Sequence, residues 1–284
     1  MASPPTFSQR PGSPRKNEPE FCLPLPKETA ALIGQQQQTF GRESIAENLG
    51  LWIDRLIPVN RADQEPWGLR GEVRQQALSS LCRHYDSSAG KAALVRQREA
   101  ILHTYSGFCR SLCGTQRGRL LVDAGRAHPL ATSLSFHPVW GVPRIAGSAV
   151  KGAVLSLARA EKAERVLRAM GSKTLASDLV FFDALPVDGK FELALDVLTP
   201  HYGDYYQKKG PPSERLSPKP HTFLTVVQTK FEFWVAIDPE HPDAMQALAD
   251  TLECLERVIT EWGVGGKTSA GYGRFAIQQG AHTP

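Results

Sequence analysis

The stretch HPDAMQALADTLECLERVITEWGVGGKTSAGYGRFAIQ, His241–Gln278, decides how the rest of the chain is read. Leu248, Leu252, Leu255 and Ile259 recur at helical spacing, which predicts an amphipathic helix. A glycine-rich turn follows, and RFAIQ then reads as a short strand. Gly263–Arg274 holds five glycines and two charges, Lys267 and Arg274. GGKT is not a nucleotide-binding P-loop, because that motif needs a glycine where Glu261 stands. A P-loop also joins a strand to a helix, the reverse of the order here. Missing Cβ atoms let another backbone approach and leave N–H groups open to an anion. Lys267 adds charge, and Thr268 and Ser269 add hydroxyl donors. The alternative is a helix C-cap with a bulged turn, where glycine serves only backbone conformation.

Working outward, GVPRIAGSAVKGAVLSLAR holds a second turn of this kind. Gly147 and Ser148 open a helix, so unpaired N–H groups face outward there. Lys151 lies one turn in, and Arg144 just precedes. An ordinary helix start with a solvated lysine reads equally well from these residues. DLVFFDALP and KFELALDVL read as strands, and HTFLTVVQTKFEFWVAID as a strand pair bending near Thr229–Lys230. RLLVDAG, Arg119–Gly125, reads as the first strand, and LSFHP as a further strand or hairpin. The order β, α, β-hairpins, α, β over the C-terminal part predicts an α+β, RRM-like or ferredoxin-like sheet with extra hairpins. Upstream, residues 41–115 read as a helical section. It has a Ser44/Glu47 capping box, a second helix over Glu72–Tyr85 and a third over Lys91–Cys113. Residues 1–40, rich in Pro, Ser and Gln, read as a disordered tail. QKKGPPSERLSPKPH reads as an exposed flexible loop near 207–220.

Composition narrows the classes. The 284 residues carry a net charge of +4, compatible with an anionic partner. Five cysteines, an odd number at irregular spacing, argue against a disulfide framework and for reduced thiols in a cytoplasmic protein. No apolar run is long enough to span a membrane, and the N-terminus lacks a signal-peptide core. LTPHYGDYY gathers His201, Tyr202, Tyr205 and Tyr206. Beside Lys208 and Lys209 these aromatics suit base stacking on single-stranded RNA, or packing on a neighbouring subunit. His201 as a general base lacks a second carboxylate pair or metal spacing around it. Asp123, Asp183 and Asp196 form a metal site only if the fold gathers them; singly they read as strand-end carboxylates. His128 and His137 read as surface or hydrogen-bonded residues, and Trp140 and Trp234 as core.

LSFHPVWGVPRIAGSAVKGA, FFDALP, LDVLTPHYGDYY and WGVGGKTSAGYGRF together resemble the RAMP proteins of CRISPR effector complexes. They look most like the terminal RAMP subunit of the type III-B (Cmr) complex. The matching segments run in the family's order from about residue 119 to 277, and residues 1–115 carry none. Ala146 stands where the family usually has proline, which makes that turn less rigid. The resemblance implies an RRM-like RAMP fold that holds the 3′ portion of a guide crRNA and helps bind complementary target RNA. It implies contacts to other RAMP backbone subunits and to small helical subunits, with no cofactor, no metal, no catalytic residue and no membrane. On it, Ser148, Lys151, Gly265, Gly266 and Lys267 are candidate guide-phosphate contacts; from the chemistry of the residues themselves, Arg144, Gly147, His201, Tyr202, Tyr205, Tyr206, Thr268, Ser269 and Arg274 are further candidate RNA contacts. An endoribonuclease processing guide RNA and a protein-only adaptor are the two alternatives.

Overall fold

The computed structural model describes residues 21–22, 48–56, 59–60, 75, 78–125, 128, 132–172, 175–199 and 220–277. Their frame is one antiparallel sheet built from β4 (Cys109–Arg117), β6 (Leu179–Phe181), β7 (Leu185–Pro186), β10 (Lys230–Ile237) and β11 (Arg274–Ile277). The path through it is β11-β4-β10-β6, with β7 also on β10. Helix α3 (Gly147–Glu161) follows β4, and α5 (Ala244–Arg257) follows β10. This is the βαββαβ ferredoxin-like arrangement, its last strand beside its first.

Both helices cover one face of the sheet. Val150, Val154, Leu157 and Ala158 form the buried stripe of α3, and Leu248, Leu252 and Leu255 that of α5. They meet Phe231, Phe233 and Phe275, whose rings sit edge-on at 6.0 and 5.3 Å. The other face is covered by α2 (Ser88–Tyr105). Ile101 packs there with Trp234, Cys109 and Ala236. Arg98 Nε donates to the buried Glu232 carboxylate at 2.7 Å. A charge under a helix is tolerated because that bond keeps it paired.

A second antiparallel sheet runs β3-β8-β9-β5, from β3 (His84–Asp86), β5 (Arg119–Leu120), β8 (Lys190–Leu198) and β9 (His221–Val227). β8 and β9 form the extra hairpin, in register from Glu192↔Val227 to Leu198↔His221. Its connection contains His201, Tyr202, Tyr205 and Tyr206, which lie outside the described residues, as do 207–219 of the loop expected near 207–220. Further elements are α1 (Leu49–Leu51) with a π-turn after it, α4 (Glu164–Ala169), the 3-10 turns Val187–Gly189 and Thr268–Ala270, and β1 (Phe21–Cys22) paired with β2 (Val59–Asn60). No described helix is long and apolar enough to cross a membrane.

Several expectations need correction. The third helix stops at Tyr105, capped by Ser106 at φ 41°, and Cys109–Cys113 belongs to β4. The helical section therefore does not extend to 115: the first strand of the sheet starts inside it. RLLVDAG contributes only the two-residue β5, and Tyr85 lies in β3 rather than a helix. β9 and β10 are not a hairpin. Gln228, at φ 47°, turns the chain out of one sheet and into the other. Phe21–Cys22 is paired strand within the expected tail; the rest of 1–40, and Ser44 and Glu47, lie outside the described residues.

Candidate nucleic-acid interface

After α5 the chain makes a π-turn, Val258–Trp262, closed by Gly263 N–H on Val258 O at 2.7 Å. The glycine loop then folds back on the start of the second sheet. Gly266 N–H donates to Leu121 O at 2.7 Å, and Gly273 N–H to Arg119 O at 2.8 Å. Val264 N–H closes the loop on Gly273 O at 2.9 Å. Gly273 has φ 70°, and a Cβ there would stand 1.9 Å from Val264 O. Much of the glycine content thus serves the loop's own packing, as the bulged-turn reading holds. Four amides remain without an acceptor among the described residues: Gly265, Lys267, Thr268 and Ser269. Gly265 and Ser269 are exposed. Three successive unspent N–H groups, opening the 3-10 turn Thr268–Ala270 from a left-handed Lys267 at φ 59°, form a geometry that can receive an anion.

Lys267 itself does not stand free in solvent. Its ammonium lies 5.0 Å from the Phe223 ring centre and 4.8 Å from that of Tyr272. Such contacts are worth about 0.5–2 kcal/mol, little enough for a phosphate to compete. The Tyr272 hydroxyl donates to Asp196, which also pairs with Arg119 Nε at 3.2 Å. Burial, then the Asp196 carboxylate, pushes the Tyr272 phenol up to about 12. Arg274 faces Arg117 across the β11–β4 register, and its buried Nε has no partner among the described residues. Like charges directly opposite on a sheet disfavour the pair unless an anion lies between or over them. Arg117 was not singled out from the sequence; only the register brings it beside Arg274.

The second turn is already occupied. Gly147 N–H donates to Asp183 Oδ1 at 2.8 Å, and Arg144 Nη1 to Asp183 Oδ2 at 2.6 Å. A carboxylate from between β6 and β7 therefore sits where an open anion site was expected. A Cβ on Gly147 would meet Phe181 O at 2.1 Å, so glycine is needed for this approach. Ala146 holds φ −59°, the value proline would impose, so the turn keeps its shape without that ring. Ser148 is exposed and Lys151 half-buried, and Lys151 makes no ion pair among the described residues.

The glycine loop borders an open cleft of about 550 Å³ beside α3. One wall is α3, through Ala149, Ala153 and Ser156. The other is the loop, through Trp262 to Gly266 and Thr268, and Val122 to Gly125 close it. Ser148 and Lys151 are not among its lining residues. The three aspartates do not gather: Asp183 caps α3, Asp196 belongs to the Tyr272 contact, and Asp123 lines the cleft. His137 Nδ1 accepts from the Val139 and Trp140 amides, and burial lowers its pKa. His128 stands 3.4 Å from Asp54. Trp234 is core, whereas Trp140 is half-buried under Arg96.

Residues 102–276, more than half of the chain, match the RAMP superfamily. The chain belongs to that superfamily. Among curated proteins it is similar to the CRISPR system Cmr subunit Cmr6 of Pyrococcus furiosus, 33% identical over 120 residues, 39% of this chain and 34% of that one. It is also similar to the Cmr6 subunit of Saccharolobus solfataricus, 29% identical over 174 residues, 60% of this chain and 55% of that one. The matches thus span about a third to about half the length of these relatives. A chain in the cryo-EM structure of the type III-B Cmr-beta complex bound to cognate target RNA shares the fold. Its TM-score is 0.58 at 22% identity, over 72% of this chain and 71% of that one.

Proposed function

We propose that this chain is a non-catalytic, RNA-holding subunit of a type III-B CRISPR ribonucleoprotein in the cytoplasm. It grips the 3′ portion of the guide crRNA and helps bind complementary target RNA in antiviral defence. Its neighbours are other RAMP backbone subunits and small helical subunits. The observation that carries the reading is the run of unspent amides at Gly265 and Lys267–Ser269, bordering an open cleft beside α3. Main-chain N–H groups recognise phosphate without reading sequence, so binding is sequence-tolerant and salt-sensitive. Similarity to Cmr6 subunits supports the assignment to this type of complex.

The test is to purify the full chain, sequence any RNA that travels with it, and measure single-stranded RNA affinity against salt. Lys267→Ala is expected to weaken all sequences alike and to reduce the log–log salt slope by about one contact. Unchanged affinity and slope would remove Lys267 from the site. Labelled RNA incubated with Mg²⁺ and with EDTA is expected to stay intact; cleavage in either would make the chain a nuclease.

A further inference from the structure

The loop amides account for phosphate, but the cleft beside them does not look built for it. No lysine or arginine is among its described lining residues, and Asp123 is exposed at its rim. The walls are flat and small, Ala149 and Ala153 on one side and Gly263 and Gly265 on the other. One large ring stands over them: Trp262, 44% exposed.

That exposure departs from the spacing of the helix before it. Trp262 falls three residues after Ile259 and seven after Leu255, both fully buried, so an unbroken α-helix would carry it onto the core face. The helix instead closes in a π-turn, and Trp262 lines the cleft. An apolar ring lining a slot of small residues, with no cation among the described lining residues, beside a row of open amides is a pairing suited to single-stranded nucleic acid.

We infer that Trp262 is a stacking platform for one unpaired base of the bound RNA, with the neighbouring phosphates on the Gly265–Ser269 amides. This rests on the RNA-holding role proposed above. The experiment uses the full chain and single-stranded RNA oligonucleotides, each with one base removed in turn along the strand. Trp262→Ala is expected to weaken intact RNA roughly 5- to 150-fold, the range base–aromatic stacking gives. Trp262→Phe, which keeps a ring, is expected to stay close to wild type. The salt slope is expected to be unchanged in both, because no ionic contact is lost. Wild type is expected to show one position where base removal is costly, and Trp262→Ala to be indifferent there. Thermal melts establish that the variants fold.

Wild-type RNA binding that Trp262→Ala leaves untouched would overturn the stacking role and leave the RNA-holding role standing. No RNA binding by wild type would overturn both. Unchanged RNA affinity with loss of co-purifying subunits would make the cleft a protein interface and overturn the inference.

Discussion

Replacing Gly273 by alanine tests the loop geometry most directly. The residue sits at φ 70°, which costs an L side chain about 1–2 kcal/mol. A Cβ 1.9 Å from Val264 O leaves no room, so that strand of the loop must move. Movement threatens two main-chain bonds, Val264 N–H to Gly273 O and Gly273 N–H to Arg119 O. Each contributes roughly 0.5–1.5 kcal/mol. The expected loss is therefore roughly 2–5 kcal/mol, a fall in Tm of roughly 5–20 °C for a domain of this size. Gly271 is the control: it has φ 85°, but a Cβ added there would meet nothing within 4 Å. Gly271→Ala carries only the conformational cost, about 1–2 kcal/mol or roughly 2–8 °C. Differential scanning calorimetry of both variants decides the matter. A Gly273→Ala melt no lower than that of Gly271→Ala would refute the close-packed loop.

Other consequences follow from the same contacts. Asp183→Ala removes the carboxylate from Gly147 N–H and Arg144. It should cost about 1.5–3 kcal/mol in urea unfolding, the range for bonds to a charged group, with only part recovered in Asp183→Asn. Gly152 lies exposed in α3 with open space around it, so Gly152→Ala should stabilise by up to about 1 kcal/mol. The Tyr272 phenol, pushed from 10.0 to about 12, keeps its proton longer folded than unfolded. Its stabilising share is complete below pH 10 and is lost as pH rises towards about 12. Wild type should lose its urea-midpoint advantage over Tyr272→Phe across that window, and a constant difference would show the phenol is not perturbed.

The ferredoxin-like frame was legible where hydrophobic period and turn chemistry agreed. α5 and α3 announce themselves by their leucine and valine stripes, and β10 by Phe231, Phe233, Val235 and Ile237. β4 did not, because CRSLCGTQR fills a central strand with small and polar residues: Ser111 and Gln116 are buried, with Gln116 bonded to Val226 O. The β9–β10 turn looked like a hairpin because local sequence shows where a chain bends, not which sheet it enters. At the site, the glycine loop was visible but its use was not. The partners of Gly147, Lys267 and Gly266 come from Asp183, Phe223 and Leu121, all distant in sequence. Trp262 was hidden for the opposite reason: its spacing is that of a core residue, yet it stands exposed in the cleft wall.

The stitching of the loop to Arg119 and Leu121 has a thermodynamic corollary. A segment this rich in glycine would ordinarily surrender much chain entropy on meeting a ligand. Here that ordering is completed when the sheets form, before any strand arrives. On the proposed RNA-holding role, little loop freezing would therefore weaken association.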